Sequence, residues 1–423
     1  MKQMIIIGAG AAGMMTAIHA SSNYIVTIIE KNEKPGKKLF ITGKGRCNVT
    51  NDSDPDTFLG NVITNPKFLY SAIYSYDQSR VMDDFESWGV KLKTERGNRV
   101  FPVSDHSSDI IKALTEQIDR LGIRIIYNTT VKDIMVNDEN VPSVTGVKLS
   151  NGRTLQADVV VLASGGMAYP QTGSTGDGYD ILKSKGIEIV NPRPSLVPLE
   201  TEESEVTDMM GLSLKNTGIK VIAPKEHYTF LKKDKILYSD FGEMLFTHFG
   251  VSGPMCLSAS SYISSFIYGK GHGLKPHLIL DIDLKPALSE EDLDKRIQRD
   301  FNEFKNKDFQ NSLDKLLPRL LIPVIVSRSG IRADKKVHDI TAEERKKLVS
   351  VLKSYKLTIT GLRGFKEAII TGGGVSVKEI DPYTMELKKI KGLRVAGEII
   401  DCDALTGGFN LQIAWSTAYL AAT

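Results

Sequence analysis

A chain of 423 residues with a formal net charge of +3 has room for two or three domains and the composition of an ordinary globular protein. So mild a charge argues for no polyanion, although it permits an RNA partner, and no apolar run is long enough to span a bilayer. Three cysteines without a close pair (Cys47, Cys256, Cys402) exclude a CxxC dithiol and a cysteine-rich zinc site; seven scattered histidines form no HxxxH or HExxH cluster, so no metal site is expected.

The first thirty residues are the most informative stretch. An apolar run, Met4–Ile7, ends in Gly8, Gly10 and Gly13, with Ala9, Ala11 and Ala12 between them. Helix formers follow, and a second apolar run, Tyr24–Ile29, closes on Glu30, 22 positions after Gly8. Strand, glycine turn, helix, strand and acid is the dinucleotide-binding pattern. Gly8 makes the turn, Gly10 lets a pyrophosphate approach, Gly13 lets helix and strand pack, and Glu30 takes ribose hydroxyls. The competing reading is a secretory signal, since Lys2 precedes the apolar stretch and Ala20-Ser-Ser resembles a cleavage site. Three glycines inside the would-be apolar core weigh against it. A reducing cytoplasm is the default expectation.

From Lys31 to Arg46 three glycines and six basic residues make a loop able to lie against something anionic, and Cys47-Asn48 follows. Asn65-Pro66 predicts a helix start running toward Trp88-Gly89. Ser107 or Ser108 caps another helix with Ile110, Ile111, Leu114, Ile118 and Leu121 on one face. Strands are predicted at 123–127, 131–136, 145–149 and 154–162, with Asn151-Gly152 as a hairpin turn. The last strand ends in Ala163-Ser164-Gly165-Gly166.

The grammar changes near Asn191-Pro-Arg-Pro194. Short strand-like runs at 219–222, 228–231, 243–247 and 277–282 predict a compact β domain, with an apolar helix from Met255. Helical patterning follows, with capping boxes at Ser289/Asp292 and Thr341/Glu344. Strand-and-glycine grammar returns with Thr371–Gly374, Leu393–Glu398, Thr406–Gln412 and an apolar helix from Ile413 to Ala422. The predicted layout is a Rossmann-like α/β domain split as 1–192 and 356–423, an inserted barrel-like β domain at 193–285, and a small helical subdomain at 286–355.

The segments Pro35–Asn51, Gly165–Gly178, Leu245–Pro254 and Gly397–Gln412 resemble one family, the bacterial HI0933-like flavoproteins, along nearly the whole chain. The resemblance implies FAD held by a split domain with a β-barrel insert and a small helical domain. Gly8 to Gly13 would hold the pyrophosphate, Glu30 the ribose, and Val131 the adenine side through its backbone. Ala163 to Gly166, Gly397-Glu398 and Asp401 would flank the cofactor, and Gly407, Gly408, Phe409, Asn410 and Leu411 would present N–H groups to the pyrimidine end of the isoalloxazine. Lys31, Lys38, Thr42, Gly43, Gly45 and Arg46 complete the expected cofactor contacts. Two departures stand out: Lys44 replaces a glycine common in the family, and Ala404-Leu405 replaces the glycine of its Asp-x-Asp-Gly.

With no second GxGxxG, NAD(P)H would bind transiently over the flavin. The resemblance implies NAD(P)H-driven dihydrouridine formation in large-subunit ribosomal RNA. Cys47 is the candidate proton donor, Arg46 and Asn48 would stabilise the developing charge, and His248, with Ser252, would orient substrate from the insert. Plain packing for Cys47 and turn-making for His248 are the alternatives, and Arg46 beside a thiol favours thiolate, against an acid role. An aminoacetone-type amine oxidase releasing peroxide and a non-catalytic FAD-holding or redox-sensing protein are the other functional readings. Either ribosomal RNA or a small molecule is thus the expected partner, no membrane is, and the oligomeric state is open.

Overall fold

The computed structural model describes residues 1–137, 139–269 and 275–423, and the chain forms two compact units, Met1–Ser195 with Gly364–Thr423, and Leu196–Arg363. In the first unit five strands, β1 (Lys2–Ile7), β2 (Tyr24–Ile29), β3 (Arg124–Ile126), β4 (Val159–Leu162) and β5 (Leu393–Val395), build a parallel sheet in the order β5-β4-β1-β2-β3. Parallel sheets are covered on both faces, so β4 is buried at every residue and reads as an unbroken apolar run. The stretch that resembled a secretory signal contains the central strand of this sheet. Two helices, α1 (Ala11–Ala20) and α2 (Phe409–Ala422), pack on one another, with Thr16 Oγ1 donating to Ala418 O at 3.3 Å. The α2 helix is buried nearly all round. Its Trp415 is sealed in the core, the indole N–H donating to Val49 O at 2.9 Å.

Three sequence expectations in this unit need correction. His106, not Ser107 or Ser108, takes the N-cap position of the helix Ser107–Arg120, without a side-chain cap, and the Ser107 hydroxyl goes to Phe40 O instead. The predicted strand 154–162 is two strands: Thr154–Gln156 closes an antiparallel meander with Val131–Val136 and Val144–Leu149, and β4 then enters the parallel sheet. Asp158, between them, accepts the Gln3 N–H at 2.7 Å and pins the crossing. The predicted helix toward Trp88 is broken into Pro66–Leu69, Tyr70–Ser75 and Gln78–Ser87. Tyr76 leaves the helical region and Asp77 caps a new helix by accepting the Arg80 N–H at 3.0 Å. Asn65 is left-handed (φ 54) and caps nothing; its amide goes to Asp401 instead.

In the second unit six strands close a barrel in the order Leu199–Thr201, Gly250–Ser252, Lys235–Thr247, Ser213–Ala223, Leu278–Asp283 and Tyr355–Leu362, the last pairing back onto the first. The two long strands run well past the runs read at 219–222 and 243–247. The expected strand at 228–231 is a turn, where Leu231 N–H donates to Tyr228 O. Thr341 and Glu344 form the predicted capping box. Ser289 caps by accepting the Asp292 N–H, but the Asp292 carboxylate takes the Ser289 hydroxyl rather than its backbone N–H. Aspartate is one methylene shorter than the glutamate of the usual box. Tyr355–Leu362 completes the barrel, so the chain returns to the first unit at Gly364 rather than at 356, and the helices between 286 and 355 share one core with the barrel.

Candidate functional site

The glycine turn between β1 and α1 has two closed positions and one open one. A Cβ on Gly8 (φ +105) would lie 2.6 Å from Ala163 O, and one on Gly13 would lie 1.8 Å from Gly8 O. These two glycines let β1, β4 and α1 touch. Around Gly10, its own chain neighbours apart, no heavy atom of the described residues lies within 4 Å of the place a Cβ would occupy. The α1 helix starts there with no side-chain cap and no acid in its first turn, leaving backbone donors and a positive dipole end facing open space. That donor set and that clearance suit a pyrophosphate.

Glu30 follows directly after β2 and is 6% exposed. Its Oε2 accepts the Ala9 N–H at 2.7 Å and its Oε1 accepts from Asn32 N and Nδ2 at 2.8 and 2.7 Å, which fixes the carboxylate beside the turn. Thr129 N–H donates to Glu30 O at 3.0 Å, so Val131 starts its strand close by. Gly36 N–H donates to Ala9 O at 2.9 Å and brings the basic loop to the same turn.

A second uncapped helix start belongs to α2, which packs beside α1. Gly408 (φ +99) precedes α2 without a side-chain cap, and a Cβ there would strike Thr50 O at 2.3 Å. Gly407 O accepts from Asn51 Nδ2 at 2.9 Å, and Gln412 Oε1 accepts from Thr50 Oγ1 at 2.6 Å. Gly397 lies against Ala12, where an added Cβ would come within 2.8 Å of the alanine Cβ. Lys38 pairs with Glu398, whose other oxygen accepts the Thr371 N–H at 2.9 Å. A Cβ on Gly166 would lie 2.4 Å from Thr371 Oγ1, the atom that accepts the Met167 and Ala168 N–H groups.

The loop through Cys47 is tightly turned, with Gly43, Lys44, Gly45 and Cys47 all at positive φ. Lys44, the departure from the family pattern, is exposed. The Cys47 thiol is fully buried, and burial pushes it up to about 12, offset only in part by its hydrogen bond with Thr42. Arg46 does not make it a thiolate. Its guanidinium bonds Glu95 and Asp105 and lies 4.0 Å over the Phe101 ring. The tension between an acid role and a neighbouring cation is resolved by where that cation points. Asn48 Oδ1 is buried without a partner among the described residues.

Other predicted side chains are engaged elsewhere. Lys31 Nζ bonds Thr175 Oγ1 and Asp177 at 2.6 and 2.7 Å. The Asn410 amide bonds the backbone of Ala404 and Leu405, so that segment offers its main chain. His248 is exposed on the turn between two barrel strands of the second unit, its ring edge-on to Phe249. Asn51, Thr50, Thr371 and Arg193 were not singled out from sequence. Each acts by bonding a segment distant in the chain; Thr50 and Asn51 carried a signal as the end of the Pro35–Asn51 segment, and Thr371 as the start of Thr371–Gly374. Among the described residues no group of three or more His, Cys, Asp or Glu gathers to hold a metal, and no helix is long and apolar enough to cross a membrane.

Residues 2–423 match the HI0933-like protein Rossmann domain family. A ribosomal RNA dihydrouridine synthase of Haemophilus influenzae is 31% identical over 430 residues, covering 100% of this chain and 98% of its own. A 3-dehydro-bile acid delta(4,6)-reductase of Clostridium scindens is 30% identical over 425 residues, with the same coverage. Among solved structures, the 3-ketosteroid delta1-dehydrogenase of Sterolibacterium denitrificans shares the fold at 15% identity with a TM-score of 0.52, covering 100% of this chain and 98% of that one. Glycine turn, fixed acid, two uncapped helix starts and a match along nearly the full length give one conclusion: the chain belongs to the HI0933-like family of FAD-dependent oxidoreductases.

Proposed function

We propose that this enzyme uses NAD(P)H to reduce the C5=C6 double bond of a uracil in 23S rRNA, forming dihydrouridine. The observation that carries the reading is the end-to-end likeness to the Haemophilus dihydrouridine synthase. FAD, when bound, supplies the hydride chemistry. The chain's residues supply position, charge and protons.

In this reading the N–H groups from Gly10 to Gly13 receive the pyrophosphate, Glu30 the ribose, and the backbone at Val131 the adenine side. The N–H groups of Phe409, Asn410 and Leu411, at the positive end of α2, stabilise the negative charge that gathers on reduction. Lys38 is held by Glu398. Gly45 has open space on its Cα, so the loop before Cys47 can come close to a flat ring. The Cys47 thiol keeps its proton at neutral pH, the state a donor needs. Its target base must be unstacked to reach such a site.

Nucleoside analysis of 23S rRNA from a strain lacking the gene tests the reading. Dihydrouridine should vanish at one position and return with the gene. Unchanged dihydrouridine, with no rescue of a strain that requires such an enzyme, removes the proposal. The Clostridium relative favours a second reading, reduction of a double bond conjugated to a carbonyl in a steroid-like small molecule. NADPH-dependent loss of an unsaturated 3-oxo-steroid together with an unaltered rRNA profile would select it.

A further inference from the structure

The turn that joins the two long barrel strands, Ser213–Ala223 and Lys235–Thr247, carries rings and lysines that the reading above leaves unused. Tyr228 is its buried anchor. The hydroxyl donates to Lys275 O at 3.2 Å and accepts the His277 N–H at 3.0 Å. Its ring meets Phe266, from the helix Pro254–Tyr268, edge-on with centroids 5.1 Å apart. Phe230 completes the triangle, 6.1 Å from Tyr228 and 6.0 Å from Phe266, and is itself 54% exposed. Next to Tyr228 in the chain, His227 lies against the His277 ring with centroids 3.6 Å apart.

Around these rings the charge is one-sided. Lys225, Lys232, Lys233, Lys235 and Lys275 are all exposed, and none forms an ion pair among the described residues. Lys235 Nζ lies 5.9 Å from the Phe266 centroid. The turn holds two acids, Glu226 and Asp234, and one Asp234 oxygen accepts the Lys225 N–H at 3.0 Å. A lysine run alone is usually solvated surface. Here the lysines flank an exposed ring that two further rings hold in place. A protein partner fits this poorly, because lysine is depleted from protein–protein interfaces. A membrane-seated helix would present an apolar stripe, which a turn does not. An unpaired nucleotide strand needs this very mixture, with cations for its phosphates and an aromatic face for a base.

We infer that this turn is a docking surface for single-stranded RNA, with a base stacked on Phe230 and backbone phosphates on the lysines around it. The turn carries none of the residues assigned to FAD or to proton donation, so its contribution is affinity rather than chemistry. Duplex RNA offers no free base face and docks less well. That the strand is ribosomal rests on the dihydrouridine reading; the surface does not.

Fluorescence anisotropy of a labelled oligouridylate, titrated with the FAD-loaded full-length protein, tests the surface. Wild-type protein should bind the single strand more tightly than a duplex of the same length, with an affinity that falls steeply as salt rises. Phe230→Leu keeps the apolar bulk but removes the ring and should weaken binding by about fivefold or more, whereas Phe230→Trp should retain it. The exposed double variant Lys232→Gln/Lys233→Gln should make the slope of log affinity against log salt shallower by about 1.4, with an unchanged circular dichroism spectrum. No binding by the wild type, a preference for duplex, or variants that bind like the wild type overturns the inference. So does capture by phosphatidylserine vesicles that these variants abolish while RNA binding stays intact. The two readings fail separately. If the strain lacking the gene keeps all its dihydrouridine, loss of oligouridylate binding in the variants still supports the surface. If the variants bind normally, the surface falls and the rRNA reading is untouched.

Discussion

The side-chain amide of Asn410 is hydrogen-bonded in both directions to Ala404: its Oδ1 accepts the alanine N–H at 3.0 Å and its Nδ2 donates to the alanine carbonyl at 2.8 Å. A further bond reaches Leu405 O at 3.2 Å. The turn that lacks the family's glycine is thus held by a side chain from the first turn of α2. Asn410→Ala should lose about 1–3 kcal/mol in urea unfolding, the range for stranding buried backbone partners. Asn410→Asp, which keeps only the acceptor, should also be destabilised. A variant as stable as the parent would show that the turn holds itself.

Gly10 and Gly13 make opposite predictions. Gly13→Ala forces a Cβ onto Gly8 O and should fail to fold or to keep its yellow colour. Gly10 has an ordinary negative φ (−83) and open space, so Gly10→Ala should leave the apoprotein as stable or raise stability by about 0.4–1 kcal/mol through the unfolded chain. Its methyl fills the approach to the α1 N-terminus, so FAD affinity measured by titrating the apoprotein should fall. Unaltered affinity would place the pyrophosphate elsewhere.

Alkaline pH should destabilise the chain through its buried thiols. Cys47 and Cys256 both move from an ordinary 9.0 to about 12, and Cys402 moves well above its ordinary value, in each case chiefly because burial disfavours the thiolate. A folded-state pKa raised above the unfolded one gives stability that is whole below pH 9 and is lost as pH climbs toward 12. The urea midpoint should therefore fall from pH 9 upward, and Cys256→Ala should flatten that fall. Iodoacetamide should label Cys47 in the native protein far more slowly than in urea.

Arg46→Ala should lower the urea midpoint only slightly, and less in high salt, because Glu95 and Asp105 face water. The iodoacetamide rate at Cys47 should not rise or fall with that charge, since the thiol is governed by burial. A changed rate would return Arg46 to the thiol's surroundings.

The dinucleotide half was legible because its signals are local. Gly8, Gly10, Gly13 and Glu30 sit within one strand–helix–strand, and their spacing carries the turn chemistry wherever the rest of the chain goes. The amphipathic helix Ser107–Arg120 and the Thr341–Glu344 box were legible for the same reason. The helix predicted through Tyr76 failed because that ring is held in the core by stacking on Tyr419 and by its bond to Asp84, contacts that outweigh helical continuity. Tyr355–Leu362 was misplaced because a barrel strand separated by three helices from its neighbour Leu278–Asp283 leaves no mark of that pairing in sequence.

By itself, the sequence determined that a glycine turn would join the first strand to the first helix and that an acid would follow the second strand, since backbone conformation and helix polarity follow from a few adjacent residues. Only the tertiary structure decided which charges are free. It turned Arg46 toward Glu95 and Asp105, tied Lys38 to Glu398 and sealed Cys47 as a thiol. Those outcomes depend on burial and on partners distant in the chain, and neither is written in local order.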